Sequence, residues 1–85
     1  MNAVGTLCLN LRNSRLARGW SQELMAELAG IPYRYLQDIE AQRRPGIRLA
    51  TIERLAKALG VEPWELLKPA QFPAPLNKRG KSAAA

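Results

Sequence analysis

The 85-residue sequence has no histidine, a single cysteine (Cys8) and a single aspartate (Asp38). One thiol cannot build a disulfide framework within the chain, and without histidine there is no Cys/His zinc site. The same absences exclude a Ser–His or Cys–His nucleophile pair, so no catalysis and no metal or other cofactor is expected. No apolar run approaches the roughly 18 residues that a membrane helix needs. Residues 1–9 lack the basic start of a signal peptide. A lone cysteine also suits a reducing compartment. The expectation is a soluble, cytoplasmic chain with no membrane partner.

Acidic groups are scarce as well. Thirteen Lys+Arg stand against seven Asp+Glu, a net charge of +6. That balance favours an anionic partner, nucleic acid before an acidic membrane surface. Residues 1–68 carry +3 of this charge, and residues 69–85 add the other +3 through Lys78, Arg79 and Lys81. With 47% hydrophobic and 24% charged residues, the composition is that of one small globular domain. At this length only about 60% of the unfolded surface is buried, so dimerisation would add needed stability.

Apolar spacing and helix-stop residues divide the chain into five helical pieces and a tail. The first starts at residue 4 or 7 and runs to 18, with Val4, Leu7, Cys8 and Leu11 at i, i+3, i+4, i+7 and Gly19 as its stop. Ser21 is placed to N-cap the second, residues 22–29, which shows Leu24, Met25, Leu28 and Ala29 on one face and ends at Gly30. The third, residues 33–41, buries Leu36 and Ile39 and presents Tyr33, Arg34, Gln37 and Asp38 on the other side. After the basic loop Arg43-Arg44-Pro45-Gly46, residues 49–59 repeat the helical pattern with Ile52, Leu55, Ala56 and Leu59. Pro63 at a helix N1 position makes residues 63–67 a short fifth helix. Residues 69–85, with three prolines and no helical period, read as a flexible basic tail. There is no strand signal. The expected fold is an all-α five-helix bundle over residues 1–68.

Two helices of about eight residues joined by Ala29-Gly30-Ile31-Pro32 have the form of a helix-turn-helix. A helix with one apolar and one polar face fits the major groove of B-DNA, where base edges differ in their donors and acceptors. RNA is a poorer fit, because the chain lacks an aromatic stacking platform.

The stretch from Leu11 to Leu67 resembles the DNA-binding domain of the lambdoid phage repressor and Cro family, also called the XRE family. The resemblance rests on Leu11-Arg12 and Arg15, on Arg18-Gly19-Trp20-Ser21-Gln22-Glu23-Leu24-Met25-Ala26, and on Leu28-Ala29-Gly30-Ile31. It continues through Tyr35-Leu36, Ile39-Glu40 and Leu55-Ala56-Lys57-Ala58-Leu59-Gly60-Val61. In size the chain is similar to restriction–modification controller proteins and to small repressors of phages, plasmids and integrative elements.

The resemblance implies roles residue by residue. Tyr33, Arg34, Gln37 and Asp38 fall where base-reading side chains lie. Gln22 matches a position that touches phosphate or braces a base reader, and Tyr35 one that meets phosphate through its hydroxyl. Arg43 and Arg44 match a backbone-clamping loop, with Arg48 beside it. Arg15 and Glu40 match a partly buried ion pair tying the first helix to the third. Four departures stand out: Pro32 where Ser or Thr is usual, Gln42 where Gly is common, Ser14 in place of Leu, and a longer loop before the fourth helix.

Trp20 reads as packing, whereas Trp64, Leu66 and Leu67 carry more apolar surface than one monomer covers, which makes them a dimer contact. The sum is a dimeric, sequence-specific repressor and autoregulator that binds a palindromic operator in double-stranded DNA, nucleoid-associated, with the third helix in the major groove. An RNA polymerase or antagonist-protein contact is a further partner class, for which Glu23 and Glu27 are acidic candidates. The rival reading is an antitoxin-like or adaptor protein-interaction module on the same fold.

Overall fold

Helices α1 (Ala3–Ala17), α2 (Gln22–Ala29), α3 (Tyr33–Glu40) and α4 (Leu49–Leu59) follow one another in the computed structural model, which describes residues 2–69. The expected tail beyond Pro69 lies outside the described residues. No strand occurs among the described residues.

Helices α1 and α2 start where polar caps are available. The Asn2 side chain accepts from the Gly5 amide at 2.7 Å, and Ser21 Oγ accepts from the Leu24 amide at 3.0 Å, each satisfying an orphan donor of the first turn. All four helices stop in one way. A residue in the left-handed region reverses the chain while the next amide reaches back to a carbonyl five residues earlier: Trp20 to Arg15, Ile31 to Ala26, Arg43 to Asp38 and Val61 to Ala56. Gly19, Gly30 and Gly60 occupy that position in α1, α2 and α4, with φ of 72°, 71° and 73°.

The helix count corrects the sequence expectation. The described residues hold four α-helices, and Pro63–Leu67 is a 3-10 helix. Five residues are too few for cooperative α-helical bonding. Lys68, which precedes Pro69, is pushed to an extended conformation with ψ 124°. Glu65 steadies this turn by accepting the Glu62 amide at 2.8 Å.

One apolar core joins the elements: Leu7, Cys8 and Leu11 of α1, Met25, Ala26 and Ala29 of α2, Leu36 and Ile39 of α3, Ile52, Leu55, Ala56 and Leu59 of α4, and Leu66. The face of α2 differs from the expected one. Met25, Ala26 and Ala29 point inward, while Leu24 and Leu28 remain 39% and 51% exposed. An eight-residue helix lying on α3 and α4 buries a single i, i+4 stripe, and Leu24 and Leu28 form the neighbouring stripe.

Helix α1 is buried more widely than its apolar spacing indicated, and the extra contacts are polar. Asn10 Nδ2 donates to the carbonyls of Leu66 (2.9 Å) and Lys68 (2.8 Å), fastening the 3-10 helix to α1. Arg18 donates to Ser14 Oγ (2.6 Å) and Ser14 O (2.9 Å) and, through Nη2, to the Leu59 carbonyl (2.7 Å) at the end of α4. Serine at position 14 therefore has a packing reason: it is a small polar partner for Arg18.

Candidate nucleic-acid interface

Helix α3 is held by two fully buried side chains, Leu36 and Ile39, three residues apart on one face. The opposite face carries Tyr33 and Arg34, both exposed, and Gln37 and Asp38, both half-buried. Among the described residues, the side chains of Tyr33, Arg34 and Gln37 make no hydrogen bond or ion pair, so their donors and acceptors face outward unused.

The orientation of this helix is set at its far end. Arg15 pairs with Glu40 side-on, Nε to Oε2 at 2.8 Å and Nη2 to Oε1 at 2.9 Å, and both side chains are nearly excluded from water. Arg15 Nη1 also donates to the Trp20 carbonyl at 2.8 Å, so the start of the turn into α2 joins the same network. Gln22 Nε2 donates to Glu40 Oε1 at 2.9 Å. In this structure Gln22 thus braces the ion pair. Removing one member of such a buried pair is costly, because the other charge is left unsolvated. Nearby, the Cys8 thiol donates to the Ile39 carbonyl at 2.9 Å. Burial pushes its pKa up, and the Glu40 carboxylate adds to the effect.

The loop after α3 returns onto it. Gln42 takes the left-handed position with φ 59°, and the Arg43 amide then reaches the Asp38 carbonyl at 2.8 Å. The Arg43 side chain follows: Nε and Nη2 approach Asp38 Oδ1 at 3.0 and 2.8 Å. Arg44 takes a different course, its guanidinium lying 4.8 Å from the centre of the Tyr35 ring. The Tyr35 hydroxyl is 3.5 Å from Thr51 Oγ1, a contact at the outer limit of a hydrogen bond.

Pro32, Arg34, Tyr35, Arg44, Arg48 and Thr51 line an open cleft between the starts of α3 and α4. Neither helix has a side-chain cap, since Pro32 and Arg48 occupy the N-cap positions. No side chain accepts from their first amides, and the partial positive charge of each helix start adds to three arginines. An arginine-lined cleft with two hydroxyls and two open helix starts suits a phosphate backbone running past α3.

The expected base-reading residues thus share one face of α3, and Tyr35, Arg44 and Arg48 gather at its edge. Arg43 is drawn to Asp38 and stands apart from the cleft. Trp64 and Leu67 lie on the surface, 59% and 38% exposed, but Leu66 is fully buried in the monomer core beneath them. Leu66 is thereby removed from any dimer surface: in so short a turn only one side can face outward. The sequence gives Thr51 no role and Arg18 only a place in the family motif. The i, i+4 spacing of Ser14 and Arg18 was an available signal, whereas nothing local marks Thr51.

No helix among the described residues is long and apolar enough to cross a membrane. A protein family described as Helix-turn-helix matches residues 11–66. A curated relative, the Neisseria hypothetical transcription factor of Neisseria meningitidis serogroup B, is 42% identical over 65 residues, which are 76% of this chain and 60% of the relative. The chain thus spans about 60% of the length of that relative. Among solved structures, the hypothetical transcription factor NHTF from Neisseria superposes with a TM-score of 0.77 at 38% identity, over 82% of this chain and 79% of that one. The restriction-modification controller protein C.AhdI from Aeromonas hydrophila superposes with a TM-score of 0.69, also at 38% identity, over 74% of this chain and 94% of that one.

Proposed function

This chain belongs to the phage-repressor and Cro (XRE) type of helix-turn-helix DNA-binding transcription regulators, and from that premise we propose that it is a dimeric repressor of its own operon. In this reading α3 lies in the major groove of each half of a palindromic operator, with half-sites about one helical turn apart. The observation that carries it is the outward face of α3, where Tyr33, Arg34 and Gln37 present unused polar groups beside an arginine-lined cleft. The Arg34 fork matches the O6 and N7 acceptors of guanine, and Gln37 can pair with adenine. Arg44, Arg48 and Tyr35 meet phosphate and set the register of the protein on the duplex.

Dimerisation uses Trp64 and Leu67, the surface apolar residues of the 3-10 helix. Repression then requires only occupancy of a promoter. Residues 1–68 act as the DNA-binding unit, and the basic residues 78, 79 and 81 add charge without sequence preference.

The test is a fluorescence titration of the full chain against its own upstream DNA and an unrelated duplex, at about 50 and 200 mM salt. Preference for the upstream DNA by roughly 10³-fold or more, falling affinity with salt, and a gap narrowed in Arg34→Ala support the proposal. Equal, weak binding to both duplexes overturns it and favours a protein-binding module on the same fold.

A further inference from the structure

We propose that Asp38 and Arg43 form a single base-reading unit, in which Asp38 holds the Arg43 guanidinium and Arg43 donates to a guanine in each half-site. The inference rests on the reading of α3 as the major-groove helix. It reassigns both residues: by position alone Asp38 is a direct reader and Arg43 a phosphate clamp.

The placement follows from the helix. Asp38 is four residues beyond Arg34, so the two share one side of α3, a turn apart. The left-handed Gln42 turns the chain back and ties the Arg43 amide to the Asp38 carbonyl, so the Arg43 side chain starts beside that same side. Its Nε and Nη2 both converge on Asp38 Oδ1, at 3.0 and 2.8 Å.

A guanidinium has five N–H donors. Side-on pairing through Nε and Nη2 engages two of them and leaves the Nη1/Nη2 end as a fork. The Arg43 side chain stays 61% exposed while paired, so that end is open to a partner. Two parallel N–H donors match the O6 and N7 acceptors of guanine.

Charge and freedom of motion separate the two roles of Arg43. Attraction to phosphate depends on net charge and tolerates a mobile side chain, so a carboxylate partner only weakens it. Base reading depends on orientation, and a side chain already held loses less rotamer freedom on binding. The pairing also cancels the Asp38 charge, which would otherwise repel the approaching backbone. An exposed ion pair adds little to stability by itself, so variants at both positions remain folded.

The experiment is selection of binding sites from a random duplex library by the wild type, Arg43→Ala, Asp38→Ala and the double variant, with salt titrations on a fixed duplex. The expected result is one G·C position per half-site at which both single variants lose preference by roughly tenfold or more, positions that depend on Arg34 being unchanged. The double variant should lose no more there than either single one, as coupled residues do. Even weakening across all sequences in Arg43→Ala, with the salt slope reduced by about 1, would make Arg43 a phosphate clamp and overturn the proposal. Tighter binding by Asp38→Ala with unchanged preference overturns it too. A wild type that enriches no sequence sinks the α3 reading itself, and is told apart because the loss then precedes any substitution.

Discussion

Gln42 holds a left-handed φ of 59° at the end of α3, where the other three helices end on glycine. A side chain in that region is strained by roughly 1–2 kcal/mol, partly offset because glycine frees the unfolded chain. Gln42→Gly is therefore expected to stabilise the protein by about 0.5–1 kcal/mol, read as a higher urea midpoint at unchanged slope. No gain would mean that the Gln42 side chain compensates its own backbone. Glu40 presents the opposite case. Its carboxylate accepts from Arg15 twice and from Gln22 once in a nearly dry site. Glu40→Ala leaves the Arg15 guanidinium buried without its counter-charge, and a loss of about 3–5 kcal/mol is expected in chemical denaturation. A loss below about 1 kcal/mol would show that Arg15 escapes to water when released.

At the scale of elements, the short 3-10 helix depends on α1. Leu66 enters the core, and Asn10 ties the carbonyls of Leu66 and Lys68 from the other side. Asn10→Ala removes both bonds and leaves two carbonyls short of a donor, a loss of about 2–3 kcal/mol. Hydrogen exchange should locate the damage, with protection falling first in residues 63–68 while the α2 and α3 amides keep theirs. Uniform loss of protection would mean that the segment and the bundle open together. The α3 and α4 starts follow another logic. Asparagine and serine cap α1 and α2, but proline and arginine stand at the starts of α3 and α4, so no side chain of this protein caps either helix at the cleft.

For the whole molecule, the core is small and Trp64 is exposed, so the proposed self-association would add stability. If the proposed dimer forms through the 3-10 helix, the melting temperature rises with protein concentration. Trp64→Ala should remove that dependence and lower the sedimentation coefficient to the monomer value at micromolar concentration. A concentration-dependent Tm that survives the substitution would place the contact elsewhere, with the exposed Leu24 and Leu28 stripe as the next surface to examine.

Local chemistry made much of this protein readable from its residues. Glycine stops, the Ser21 cap and the apolar spacing define α2 and α4 to the residue, because a helix end depends on neighbours within one turn. The polar face of α3 was visible for the same reason, since periodicity alone separates Leu36 and Ile39 from Tyr33, Arg34, Gln37 and Asp38. What an outward side chain touches was not visible. The reach of Arg43 back to Asp38, the stacking of Arg44 on Tyr35 and the hold of Arg18 on the end of α4 are choices among partners brought close only by the fold. The inward turn of Leu66 and the outward stripe of Leu24 and Leu28 were decided likewise, by which neighbour each short element lies against. Periodicity determines that a helix has two faces; the packing of the other helices determines which of its apolar stripes is covered and which polar group is already engaged.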